Sequence, residues 1–222
     1  MKILKAIGSG LLSLIVPVFV IIISIRVLLS PIFYQLEYRM PYFPPDPYGF
    51  TLEERLKGAA LSIDYLMNDA TLDYFNQFKL TDGSPFYNER ELSHMLDVKI
   101  LIKDAFSVWF MLLAILIMVG AGAKVRNDMN SFWKALSRGG MLTIILIGLV
   151  LFFVIIAFSS LFTQFHMLFF TGDTWLFEYS DTLIRLFPMQ FWQDAFIWLA
   201  VLSVLQGLAI YLIGKKLAVK SK

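Results

Sequence analysis

The chain of 222 residues contains no cysteine, which excludes thiolate nucleophiles, Cys-ligated metals and disulfides. It contains two histidines, His94 and His166, so acid–base chemistry by imidazole near neutral pH can come from those positions alone. Charged residues are scarce, at 16%, below the usual share in a soluble domain. There is no Gly-x-Ser-x-Gly elbow for a serine hydrolase and no His-Glu-x-x-His zinc helix. Internal repeats and low-complexity tracts are also missing. The long apolar runs lack the charges and paired breaks expected of a transporter pathway.

What the chain has in abundance is hydrophobicity. Hydrophobic residues make up 58% and the mean hydropathy is +0.70. Crossing a bilayer core of roughly 30 Å takes about 20 helical residues. Four segments meet that length: residues 6–29, 105–123, 141–162 and 195–214. Pro17 predicts a kink in the first, and Gln206 is the strongly polar side chain within the fourth. The first segment is long for a signal peptide and no small-x-small site follows it, so it reads as an uncleaved anchor.

The basic residues set the orientation. Lys2 and Lys5 precede the first span, Lys124, Arg126, Lys134 and Arg138 lie in the 124–140 loop, and Lys215, Lys216, Lys220 and Lys222 follow the fourth. The positive-inside rule puts this loop and both termini in the cytoplasm. Every acidic residue except Asp128 then falls on the opposite face. The net charge of +2 is therefore a topology signal, and no basic, aromatic-interleaved patch is left to suggest a nucleic-acid partner.

The expected fold is an all-α polytopic membrane protein with four transmembrane helices and a small extracytoplasmic α+β cap. The cap spans residues 30–104, and an extracytoplasmic aromatic-rich loop spans residues 163–194. Pro41, Pro44, Pro45 and Pro47 predict an extended opening to the cap. Leu52, Leu56, Ala60, Ile63 and Met67 recur as on an amphipathic helix. Asp82-Gly83, between Phe78/Leu80 and Phe86/Tyr87, predicts a short hairpin. Asn88 followed by Glu91 is a capping pattern for a helix running on into the second span.

That helix places Glu91, His94 and Asp97 on one face. A carboxylate beside an imidazole fixes its tautomer and stabilises its charged form, although the same pattern also suits a polar face meeting water. Glu91-x-x-His94 resembles one arm of a di-iron bundle site, but a second arm is missing. His166 lies in Phe165-His166-Met167-Leu168-Phe169-Phe170, before a Thr171-Gly172-Asp173 turn and Trp175, Phe177 and Tyr179. An interfacial belt accounts for Trp and Tyr. The phenylalanines are better accounted for by an acyl-chain pocket of Phe165, Phe169, Phe170 and Trp175. Arg26, near the end of the first span, can snorkel or face the site.

Several of these residues together resemble a known family. They are Phe86-Tyr87-x-x-x-Glu91-x-x-His94-Met95-x-Asp97-Val98-Lys99, Phe165-His166-x-Leu168-Phe169-Phe170 with Trp175, Asp181-x-Leu183-Ile184, and Phe187-Pro188-x-x-Phe191-Trp192. This set is similar to the bacterial lipoprotein intramolecular transacylases over nearly the whole chain. The resemblance implies a cell-membrane acyltransferase without cofactor or metal, acting beside membrane lipid on a diacylated lipoprotein. The sn-2 acyl chain of the diacylglyceryl group would move to the α-amino group of the N-terminal cysteine, giving lyso-form lipoprotein. It implies His94 and His166 as the catalytic pair at the extracytoplasmic interface. His166 would act as base and His94, oriented by Asp97 or Glu91, as oxyanion donor and proton source, with the reverse assignment also open. The alternatives are a non-catalytic membrane assembly or lipid-presenting protein, in which the two histidines would lie apart, and a metal-dependent hydrolase using both histidines and a carboxylate.

Overall fold

The structure, a computed structural model, describes residues 2–220, and side chains from Ile7 onward. Helices α1 (Lys2–Leu28), α2 (Pro31–Glu37), α3 (Leu52–Met67), α4 (Glu89–Val125), α5 (Met129–Phe169), α6 (Thr182–Leu186) and α7 (Met189–Lys220) follow in chain order, with a 3-10 turn at Leu72–Gln77. Four of them, α1, α4, α5 and α7, are long and apolar enough to cross a membrane. The chain divides into two compact units.

The first unit gathers α1 up to Arg26, Ala105–Ile156 and the chain from Ile197. α1 continues as one helix through Pro17. Proline has no N–H for the carbonyl of Ser13, four residues back, and α5 approaches there: a Cβ on Gly139 would lie 2.8 Å from that oxygen. α5 and α7 meet backbone to backbone, since a Cβ on Gly140 would lie 2.5 Å from the Gly207 carbonyl oxygen. Small residues permit such approach, which is how helices associate where lipid removes the hydrophobic drive. Gln206 finds its partner in Ser24, donating from Nε2 to Oγ at 2.8 Å. Ile145, Leu149, Phe152 and Ile155 leave α5 exposed and apolar, as a lipid-facing surface requires.

The second unit comprises Val27–Asp104 and Ala157–Phe196. Its core is rich in aromatic side chains, with Phe33, Tyr34, Tyr38, Tyr65, Phe75, Phe86, Tyr87, Phe187 and Phe191 buried together with Ala59, Leu66, Met95, Leu183 and Leu186. α2 opens with Pro31 in its first turn, where a missing N–H costs nothing. A capping box between Thr51 and Glu54 starts α3. The helix is where the periodicity predicts it, but its buried face is offset, carrying Arg55, Gly58, Ala59, Ser62, Tyr65 and Leu66. Polar residues sit on that face because they are bonded there. Arg55 Nη1 donates to the Pro44 carbonyl at 2.7 Å, and Ser62 Oγ meets Tyr87 Oη at 2.6 Å.

The expected α+β cap is corrected: among the described residues there is no strand. The Asp82-Gly83 turn does form, with Gly83 at φ +85° and Leu80 N–H donating to the Ser84 carbonyl at 3.0 Å. It closes a single antiparallel bridge, Lys79 to Pro85. Proline has no N–H to extend a ladder, so the second unit is helical and coil.

Candidate active site

The start of α4 is fixed by reciprocal capping. Asn88 N–H donates to Glu91 Oε2 at 2.8 Å and Glu91 N–H to Asn88 Oδ1 at 3.0 Å. Glu91 Oε1 accepts from Leu183 N–H at 2.6 Å, just inside α6. Asp181, which precedes α6, accepts from Asn88 Nδ2 at 3.0 Å and Arg90 Nη2 at 2.8 Å. The first turn of α4 and the start of α6 are thereby latched together. His94 sits one turn further along α4.

His166 lies in the last turn of α5. Its Nδ1 is 2.8 Å from the Phe162 carbonyl oxygen, one turn back. A carbonyl only accepts, so Nδ1 carries the proton and a neutral His166 presents a bare Nε2.

The structure brings the two histidines together. Their ring centres are 5.9 Å apart and their planes 24° from parallel. Both are buried, with 6% and 8% of their surface exposed. Phe170 lies against both, 4.9 Å from the His94 ring and 5.5 Å from His166. Trp175 covers His166 at 5.0 Å, and Phe165 meets it edge-on at 5.6 Å. Phe169 is about half exposed and joins the cluster through Phe165, at 4.9 Å. His94 Nδ1 and Trp175 Nε1 are both buried without a hydrogen-bond partner.

Glu91 and Asp97 share a helix face with His94, but their carboxylates are engaged elsewhere. Both oxygens of Glu91 accept from the backbone, so it holds the scaffold of the site. Asp97 Oδ2 accepts from Thr174 Oγ1 at 3.2 Å, tying the segment that carries Trp175 to α4. Among the described residues, no three His, Asp or Glu side chains gather to hold a metal ion. Arg26 is exposed in the last turn of α1, in the first unit.

Sequence reasoning missed two site residues. Phe162 packs its ring 4.2 Å from His166 and supplies the carbonyl. The i−4 spacing could have signalled this, since a residue one turn back on a helix shares the face. Phe177, read from the sequence only as one of the aromatic residues after the turn, lies 5.3 Å from His94, and the Arg90 guanidinium carbon stands 5.8 Å from the Phe177 ring centre.

The family model described as Lipoprotein intramolecular transacylase Lit matches residues 10–192. A protein of Aquifex aeolicus (strain VF5), described as uncharacterized, is 32% identical over 212 residues, 94% of each chain. The in meso structure of the membrane integral lipoprotein intramolecular transacylase Lit from Bacillus cereus is 21% identical, with a TM-score of 0.81 over 99% of this chain and 98% of that one. A variant of that protein with a histidine changed to alanine is 20% identical, with a TM-score of 0.74 over 99% and 96%. At such identity the structural likeness speaks for the fold, whereas the family match covers most of the sequence. The chain belongs to the lipoprotein intramolecular transacylase family.

Proposed function

We propose that this membrane acyltransferase moves the sn-2 acyl chain of a diacylglyceryl-modified lipoprotein onto the α-amino group of its N-terminal cysteine, with His94 and His166 sharing the proton transfers. The observation that carries this reading is the contact between the chain's two histidines, 5.9 Å ring to ring. The alternative of a non-catalytic assembly protein expected them apart.

The chemistry follows from the groups available. An α-amino group has a reference pKa of about 7.7–8.0 and must lose a proton before it attacks an ester. His166, with Nδ1 bonded to the Phe162 carbonyl, offers Nε2 to take that proton. Attack forms the N–C bond and breaks the bond from carbonyl carbon to glyceryl oxygen, which leaves with a proton from His94. The proton that His166 takes passes to His94 as that ring gives up its own, so both imidazoles end neutral and the enzyme ends as it began. General acid–base help of this kind is worth about 10²–10⁴ in rate.

Nucleophile and ester belong to one molecule. The ring from amine through cysteine, sulfur and glyceryl carbons to the ester carbon has roughly eight atoms, so positioning alone raises the effective molarity. The aromatic walls of Phe165, Phe170 and Trp175 accommodate the acyl chain and exclude the water that would hydrolyse the ester. The site faces the extracytoplasmic side, with both termini in the cytoplasm, by the distribution of basic residues.

The test uses purified protein and a synthetic diacylglyceryl lipopeptide. Intramolecular transfer is an isomerisation, so the intact mass stays constant while tandem mass spectrometry finds the amine acylated and the sn-2 hydroxyl free. Mixing a pool with isotope-labelled acyl chains and a pool with a mass-tagged peptide leaves the label on its original peptide. Label on the tagged peptide, or loss of a fatty acid, overturns the reading.

A further inference from the structure

We propose that Trp175 is a catalytic residue: its indole N–H donates to the ester carbonyl oxygen of the lipoprotein substrate and holds the oxyanion formed there. This rests on the acyl-transfer reading above and assigns a duty that the two imidazoles leave open. Attack by the amine pushes the carbonyl π pair onto oxygen, and that charge needs a donor until it collapses to expel the glyceryl oxygen. His166 has its Nδ1 proton on the Phe162 carbonyl and uses Nε2 to take the amine's proton. A neutral His94 carries one N–H, which goes to the departing glyceryl oxygen as the ring's other nitrogen takes up the proton from His166.

The donor on hand is Trp175. Its ring centre lies 5.0 Å from that of His166 with the planes 34° apart. Its Nε1 is buried and has no acceptor. An indole nitrogen can only donate, and a buried donor normally finds a partner. Were Trp175 only part of an apolar wall, phenylalanine would serve, as it does at Phe165 and Phe170 around the same imidazole. A substrate carbonyl is the partner the site lacks. The segment carrying Trp175 is tied to α4: Thr174, the neighbouring residue, donates from Oγ1 to Asp97 Oδ2 at 3.2 Å. Trp109, the other tryptophan with an unpartnered buried N–H, stacks on Phe19 in the first unit, among apolar helices.

The clean test replaces Trp175 with 3-benzothienylalanine, which keeps the bicyclic shape and puts sulfur where the N–H was. With Trp175→Phe beside it, kcat and KM are measured on the diacylglyceryl lipopeptide, along with the apparent melting temperature. The expected result is a fall in kcat of about 10²–10³-fold with KM little changed. The melting temperature holds or rises, because an unpaired buried donor has been removed. A benzothienyl variant with wild-type kcat overturns the proposal. So does a loss of kcat matched by a collapse in melting temperature, which would make Trp175 a packing residue. In both cases the wild-type protein still acylates the amine, whereas a wild-type protein that fails to do so removes the acyl-transfer reading itself.

Discussion

His94 and His166 stack ring on ring, 24° from parallel, although they come from different helices. Two groups serving one step behave as a unit, so their losses do not multiply. Both are buried, and an alanine at either position would leave a cavity, so phenylalanine is the better probe. His94→Phe and His166→Phe are each expected to lower kcat on the lipopeptide by about 10²–10⁴-fold, with melting temperatures near wild type. The double variant should be little slower than the slower single. A single variant at wild-type kcat would take that histidine out of the reaction, and multiplicative losses would separate the pair.

Glu37 offers a dependence on pH that is independent of the active site. It is buried, with both carboxyl oxygens lacking a donor. Burial, and then the adjacent Asp194 carboxyl, push it from 4.5 up to about 8. The folded protein thus holds a proton there that the unfolded chain has released. That contribution is fully present below about 4.5, declines as pH rises, and is lost above about 8. Glu37→Gln, a neutral isostere, should flatten this decline and raise the apparent melting temperature above pH 8. Each kcal/mol gained corresponds to about 2–4 °C for a chain this size. Parallel curves for wild type and variant across that range would show that Glu37 is ionised in the fold.

The proposed orientation is testable because the chain has no cysteine. Ser84, half-exposed beside the Asp82-Gly83 turn, and Ser131, exposed at the start of α5, suit single substitutions. Ser137 does not, since it is buried with its Oγ on the Tyr211 carbonyl. In intact protoplasts an impermeant maleimide should label Ser84→Cys and leave Ser131→Cys untouched until the membrane is opened. The reverse pattern inverts the topology.

The four long helices were legible because apolar length is a local property, and so was the Asn88/Glu91 cap, which needs residues three apart. A shared site for the histidines was legible from their place on the same side of the membrane and from the resemblance, but no spacing within α4 or α5 says which helix faces which. The same limit explains Glu91 and Asp97. Sharing a face with His94 told where they point around α4, but their partners, Leu183 N–H and Thr174 Oγ1, come from the far end of the chain. The buried face of α3 was misread because hydropathy sends Arg55 and Ser62 outward, whereas the Pro44 carbonyl and Tyr87 hydroxyl wait for them inside. The hairpin stops at Pro85, where the turn signal was right but the ring has no N–H to donate and pairing ends at a single bridge.

Two glycines on α5 separate close packing from chance composition. Gly140 has the Gly207 carbonyl oxygen 2.5 Å and the Tyr211 nitrogen 2.7 Å from where its Cβ would be, whereas Gly148 has nothing within 4 Å. Alanine at 148 removes a helix-interior glycine in open space, which should stabilise by about 0.5–1 kcal/mol. Alanine at 140 must push α7 backbone away, and overpacking of that kind costs about 1–3 kcal/mol. Apparent melting temperatures in detergent should therefore move in opposite directions, by about 2–4 °C for each kcal/mol. A Gly140→Ala protein as stable as Gly148→Ala would mean that α5 and α7 do not meet backbone to backbone, and the small residues along them would need another explanation.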